Sequence, residues 1–243
     1  MDPMKKIFIS NPLDQIIHIP EQETHHLLRV FRHDCKKPIL VTGSDQRTGL
    51  YYITGQEEGC AQAKLDHYID FQPRDYDIVL VQSILKGDKM DLVVQKCTEL
   101  DLDSLYTVGT KNCVAKYDSK KLKAKEERWS KIMQEASQQC GRNDLPDLTV
   151  GLSLDQILER EKESLSILAY EAEEGMTLRK VLTDHPDKRR VVIFIGPEGG
   201  FHAEEVATLA DKGVYVASLG KTILRAETAA ISAVAMAKYQ LEL

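Results

Sequence analysis

The 243-residue sequence has no apolar run approaching the roughly 20 residues that a helix needs to cross a bilayer. Its opening, Met1 to Ser10, lacks the basic stretch and long apolar core of a secretory signal. Both absences predict a cytoplasmic protein with no membrane partner. Nor is there a Cys-x-x-Cys pair. The five cysteines, Cys35, Cys60, Cys97, Cys113 and Cys140, are odd in number and widely spaced, which excludes a zinc ribbon or redox dithiol and predicts reduced thiols and no metal site. Cys97 and Cys140 fall on apolar helical stripes and are expected to be small buried residues. No strand runs into Gly-x-Gly-x-x-Gly, so a Rossmann dinucleotide site is excluded. Gly220-Lys221-Thr222 has the ending of a phosphate loop, but Tyr215 stands where the first glycine is required. Internal repeats and low-complexity tracts are also missing.

What is present is an ordinary globular composition, 42% hydrophobic and 29% charged, in a chain long enough for two domains. The net charge of -6 conceals an uneven distribution. Residues 111–142 carry nine Lys/Arg against four Asp/Glu, and binding to a polyanion depends on such local charge. A solvated helix face would have the same composition.

Residues 5–70 hold short β-type runs at Lys5–Ile9, Ile16–Ile19, Ile39–Thr42, Gly49–Thr54 and Ala63–Ile69, separated by Pro, Gly, Asn and Asp. They predict a small barrel, interrupted by a short helix within Glu21–Arg32, where His25, Leu28 and Phe31 stand at helical spacing. Phe71-Gln72-Pro73-Arg74-Asp75 reads as a linker, giving domains at 1–72 and 73–243. From Asp77 strands and helices alternate, the pattern of a parallel sheet. Strands are expected at Asp77–Gln82, Leu105–Val108, Ser166–Tyr170, Arg190–Ile195 and Val214–Leu219. Helices are expected around Met90–Leu100 and at Lys120–Gln139, Leu154–Lys162, Thr177–Asp184, Ala203–Lys212 and Ala226–Leu241.

Two segments carry the chemistry. The buried run Val191–Ile195 ends in Gly196-Pro197-Glu198-Gly199-Gly200-Phe201 and re-enters a helix. Glycines there let backbone approach a ligand, and free N–H groups at the following helix can hold polar atoms. Ser218-Leu219-Gly220 to Ala229 is a second strand end leading into a helix. With Leu168-Ala169-Tyr170-Glu171 these make three strand ends that can converge on one small molecule, as ligands do at the carboxyl edge of open parallel sheets.

These two segments resemble those of the 16S ribosomal RNA uridine-N3 methyltransferase family of the SPOUT superfamily. The resemblance extends to His25-His26-Leu27-Leu28-Arg29-Val30, Lys86-Gly87-Asp88-Lys89-Met90, Gln95-Lys96-Cys97-Thr98-Glu99-Leu100, Glu135-Ala136 and Gln139-Cys140-Gly141-Arg142. It covers essentially the whole chain. Three departures stand out: Gln138 replaces a common acidic residue, His202 replaces the serine usual after the Gly-Gly-Phe turn, and His33–Tyr52 lacks a Gly-Asp turn.

The resemblance implies an α/β fold with a trefoil-knotted parallel-sheet domain behind a PUA-like, RNA-binding barrel, assembled as a homodimer. It implies S-adenosyl-L-methionine as cofactor, held by Leu168, Ala169, Tyr170, Glu171, Ile195, Gly196, Gly200, Ser218, Leu219, Gly220, Ile223, Leu224, Arg225, Thr228 and Ala229. The implied substrate is the uridine at position 1498 of 16S rRNA, within a small ribosomal subunit. Candidate RNA contacts are Arg29, Arg32, Lys86, Lys89, Lys120, Lys121, Lys123 and Arg142. Deprotonating uracil N3 leaves charge on the flanking carbonyls, which a guanidinium would stabilise, so Arg225 and Arg142 are catalytic candidates. Glu198 is the candidate base or orienter, or else a carboxylate that stabilises the turn. Ribose 2′-O methylation and non-catalytic RNA binding remain as alternatives.

Overall fold

The computed structural model describes residues 4–72, 74–114 and 117–242. Pro73 of the expected linker and Lys116 of the basic segment lie outside these. The chain divides into two compact units, Met1–Pro73 with Ser137–Leu145, and Arg74–Ala136 with Pro146–Leu243.

The first unit is a five-stranded sheet made of β1 (Lys6–Phe8), β2 (Ile16–Ile19), β3 (Ile39–Thr42), β4 (Thr48–Glu57) and β5 (Cys60–Ile69), in the order β1-β3-β4-β5-β2. Alternate residues point inward, so Ile17 and Ile19, Ile39 and Val41, and Ala61, Ala63 and Leu65 share one core with Leu27 and Tyr51. Between β2 and β3 the chain forms α1 (Glu21–His25) and a π-helical turn, His26–Val30. The inward residues of this stretch are Thr24 and Leu27, while His25 and Phe31 are exposed. Thr24 decides the orientation, because its buried hydroxyl donates to the Ile19 carbonyl at 3.0 Å and accepts from the Ala61 N–H at 2.9 Å. The segment Ser137–Leu145, which no shift in composition marks, supplies Asn143 to bond the ammonium of Lys6.

The second unit is built on six parallel strands: β6 (Asp77–Ser83), β7 (Ser104–Val108), β8 (Asp147–Leu152), β9 (Leu165–Ala169), β10 (Arg190–Ile195) and β11 (Tyr215–Ala217). Their order is β11-β9-β10-β6-β7-β8. Strands buried on both faces read as continuous apolar runs, and the side-chain period of two sends neighbours to opposite cores. Ile78, Leu80, Val191 and Ile193 pack with α2 (Lys89–Glu99), α3 (Ser119–Cys140), α5 (Leu178–Asp184) and α7 (Ala226–Leu241). Val79, Val81, Val192 and Phe194 pack on the other side with α4 (Leu154–Arg160) and α6 (Ala203–Asp211).

β8 was not expected from the sequence. It is an edge strand with only half-buried and exposed positions, and it carries Gly151 at φ +73 and a register shift, so neither alternation nor an apolar run announces it. Of the two cysteines expected inside, Cys97 is fully buried but Cys140 is exposed. All five thiols are free. Among the described residues no helix is long and apolar enough to cross a membrane, and no group of acidic, His or Cys side chains could hold a metal ion.

Candidate functional site

Because every strand of the larger sheet runs the same way, β9, β10 and β11 all end at one edge. The turn after β10 is held from below by Gln82, whose buried side-chain amide donates to the carbonyls of Ile195 and Gly196 at 3.4 and 3.3 Å. The Gly200 N–H closes the turn onto Pro197 O at 2.9 Å with Gly200 at φ +67, a conformation that favours glycine. A Cβ on Gly196 would stand 3.1 Å from the Gly200 backbone, so a side chain here would require the turn to give by a few tenths of an ångström. Asn112 donates to the Gly199 and Gly200 carbonyls at 3.1 and 3.2 Å.

His202, the departure from the family's serine, still caps α6. Its ring Nδ1 accepts from the Glu204 N–H at 3.3 Å, and its own N–H donates to Glu205 at 3.0 Å. After β11, the Ser218 hydroxyl donates to Gly220 O and accepts from Gly220 N at 3.0 and 3.1 Å, which folds the chain back toward α7. Arg225 occupies the N-cap of α7 in extended geometry and contributes no side-chain cap, leaving the first-turn N–H groups available.

These ends enclose two adjoining cavities of about 250 and 80 Å³ that share Ala169, Glu171, Ile223, Leu224 and Ala229 as walls. Ile195, Gly196, Gly200 and Arg225 line the larger; Tyr170, Ser218, Leu219 and Gly220 line the smaller. Of the positions expected here, Leu168 points instead into the core with Val192 and Phe194, and Thr228 is an exposed residue that is not among the walls. Ile223 is 83% exposed, an apolar side chain at the cleft with no protein covering it.

The larger cavity also contains residues that the sequence did not single out as ligand-binding: Lys89, Pro197, Phe201, Ala226 and Glu227. Lys89, expected as an RNA contact, reaches from α2 to bond Glu198 Oε1 at 3.0 Å and stands 3.9 Å from Glu227 Oε2. Glu198 further accepts from the Lys86 N–H at 3.1 Å. Burial works to raise its pKa, but the hydrogen bonds from its own backbone, Lys89 and Lys86 hold it below the usual carboxylate range. This is the behaviour of a turn-fixing carboxylate more than of a base.

Arg142 belongs to the other unit, where its buried guanidinium bonds Asp144 at 2.7 Å, and it is not a wall of either cavity. Arg29 and Arg32 are exposed in that same unit, Lys86 is exposed beside the Gly196 turn, and Lys120, Lys121 and Lys123 are exposed on α3.

Residues 72–238 match a family described as the RNA methyltransferase domain. The chain belongs to this family. Over 99% of its length it is similar to the ribosomal RNA small subunit methyltransferase E of Bacillus subtilis, with 29% identity across 98% of that protein. Among solved structures, a methyltransferase from Legionella pneumophila in complex with bound S-adenosylmethionine superposes with a TM-score of 0.86 at 28% identity, covering 97% of each chain. The ribosomal RNA small subunit methyltransferase E of Neisseria gonorrhoeae, bound to S-adenosylmethionine, gives 0.84 at 26% identity over 96% of this chain and 95% of that one. The methyltransferase thus has the SPOUT-type α/β fold with a smaller N-terminal sheet unit.

Proposed function

We propose that this RNA methyltransferase transfers a methyl group from S-adenosylmethionine to N3 of an unpaired uridine in 16S rRNA, within the small ribosomal subunit in the cytoplasm. The observation that carries the proposal is the cleft where three parallel strand ends meet the uncapped start of α7, in a chain similar along its length to small-subunit rRNA methyltransferases.

The cleft's chemistry suits the cofactor. Ile195, Ile223, Leu224 and Ala229 provide apolar surface for an adenine ring, Glu171 is an acceptor for hydroxyl or ammonium groups, and helix N–H groups suit a carboxylate. When bound, S-adenosylmethionine supplies a methyl group already activated on sulfonium, so the protein's share is alignment, exclusion of water and handling of the N3 proton. Arg225, a wall of the larger cavity, is placed to stabilise the uracil anion. The N3 edge is occupied in a base pair, so the target must be unpaired or flipped out.

RNA is gripped outside the cleft. Lys120, Lys121 and Lys123 crowd the first turns of α3, where the helix dipole disfavours cations and where Asp118, accepting from the Lys121 N–H at 2.8 Å, is the carboxylate at the helix start. No ion pair is described for any of the three, whereas Lys111, Arg128 and Arg142 are paired with Glu204, Asp91 and Asp144. Phosphates would supply the missing counter-charge. The N-terminal unit, with exposed Arg29 and Arg32, is a second RNA-binding surface.

The chain works as a homodimer. A groove of about 460 Å³ between α5 and α7 exposes Met236 and Tyr239, apolar surface of the kind that a second copy covers. The inner face of α7, Ala230, Ala233, Val234 and Ala237, is already buried in the core.

The test is to incubate the purified protein and S-adenosylmethionine with small subunits from cells lacking the gene, then digest the RNA to nucleosides. The proposal expects 3-methyluridine. A ribose-methylated nucleoside would overturn it in favour of a SPOUT enzyme of other specificity.

A further inference from the structure

Three carboxylates, Glu171, Glu198 and Glu227, line the larger cavity, and they differ in how their oxygens are used. Glu198 is occupied by the Lys86 N–H and the Lys89 ammonium. Glu171 packs under the Gly200 turn, where an added Cβ on Gly200 would stand 2.6 Å from its Oε1. Glu227 Oε2 is buried and has no hydrogen-bond partner. Its nearest cation, Lys89 Nζ, is 3.9 Å away, beyond hydrogen-bond reach, and is engaged with Glu198.

A buried acceptor left unmade costs stability, and such groups persist where a ligand's donor completes them. The side chain belongs to the first turn of α7, two residues beyond Arg225 on the wall of the same cavity. A carboxylate oxygen without a donor and a guanidinium-bearing residue therefore belong to the wall of one cavity. An imide N–H flanked by two carbonyl oxygens matches that pair, because the N–H needs an acceptor and the carbonyls need a cation.

We propose that Glu227 is the general base that takes the N3 proton of the target uridine, an inference that rests on the uracil-N3 activity proposed above. As the N3–H bond breaks, the proton passes to the Glu227 carboxylate. The N3 electron pair forms the bond to the methyl carbon, and the pair of the broken carbon–sulfur bond stays on sulfur, which becomes a neutral thioether. Arg225 stabilises the negative charge that develops on the uracil oxygens during transfer. Glu227 is left as a neutral acid and returns its proton to water when the product leaves. The other charged groups facing the cavity are Lys89, Glu171, Glu198 and Arg225.

The experiment compares wild type, Glu227→Gln and Glu227→Asp on rRNA carrying either uridine or 5-fluorouridine at the target, with S-adenosylmethionine affinity measured separately by calorimetry. Fluorine makes N3–H more acidic and so reduces the need for a base. Glu227→Gln is expected to lose about 100-fold or more in kcat, to bind the cofactor within about twofold of wild type, and to recover far more from fluorination than wild type does. Glu227→Asp should retain part of the rate. Wild-type kcat in Glu227→Gln, an equal response of both proteins to fluorination, or a loss confined to cofactor affinity would overturn the assignment; the last would make Glu227 a cofactor-holding residue. Failure of wild type to form any 3-methyluridine would overturn the reaction itself, and the base with it.

Discussion

Lys89 Nζ donates to Glu198 Oε1 at 3.0 Å, tying the first turn of α2 to the glycine turn after β10. The pair joins two positions 109 residues apart, so the turn's shape depends on α2 as well as on its glycines. Glu198→Gln should therefore weaken S-adenosylmethionine binding, by about tenfold at most for a partly exposed charged hydrogen bond, and leave the turnover of the saturated enzyme nearly unchanged. Calorimetry with saturation kinetics separates the two effects. A large fall in kcat with unaltered affinity would identify Glu198 as the base instead.

Gly220 has φ +142 and no heavy atom within 4 Å of where a Cβ would stand. A valine would be strained in this backbone and would stand on the wall of the smaller cavity that Gly220 lines. Gly220→Val is expected to cost about 1–2 kcal/mol in stability and to reduce cofactor affinity by more than tenfold, with an unchanged far-UV circular dichroism spectrum. Undiminished affinity would move the cofactor away from this turn.

Much of this site was legible because its parts are local. A buried run ending in clustered glycines is visible in Val191–Phe201, and most of the expected cofactor positions do line the two cavities. What escaped notice depends on distant pairings. The pairing of Lys89 with Glu198 and its approach to Glu227 went unseen because nothing in its neighbourhood announces them. Trp129 lies within the strongly charged helix α3, yet it is fully buried and its indole donates to Asp91 at 3.1 Å. Glu161 was equally silent: it is buried beneath the sheet and bonded to Arg190 and Tyr106, at positions 29 and 55 residues away. β8 was missed because an edge strand with polar positions and a bulge carries no periodic signal.

Lys6 in β1 is buried, and its pKa falls to about 8, chiefly because burial disfavours the ammonium and despite the attraction of Asp144. The folded value lies below the unfolded one of 10.5, so between these values the unfolded chain binds more protons and stability rises with pH. Urea unfolding should accordingly show the wild type gaining stability relative to Lys6→Met as pH is raised from below 8 toward 10.5. Parallel pH dependence in both proteins would contradict a buried ammonium at this position.

Charge reversal at Lys120, Lys121 and Lys123 should flatten the salt dependence of RNA binding. If all three meet phosphates, the log-log slope falls by about 2, and cofactor affinity does not change. An unaltered slope would mean that this face of α3 is merely solvated and that RNA is held elsewhere.

The most direct test of the central claim uses the fact that a methyl on N3 removes the donor through which uridine pairs. Reverse transcription is run across the 16S rRNA of small subunits treated with the protein, with and without S-adenosylmethionine. The account predicts a cofactor-dependent stop immediately 3′ of one uridine, absent with Gly220→Val at low cofactor concentration. Methyl incorporation into the RNA with uninterrupted read-through would contradict it, because the methyl would then lie off the pairing edge.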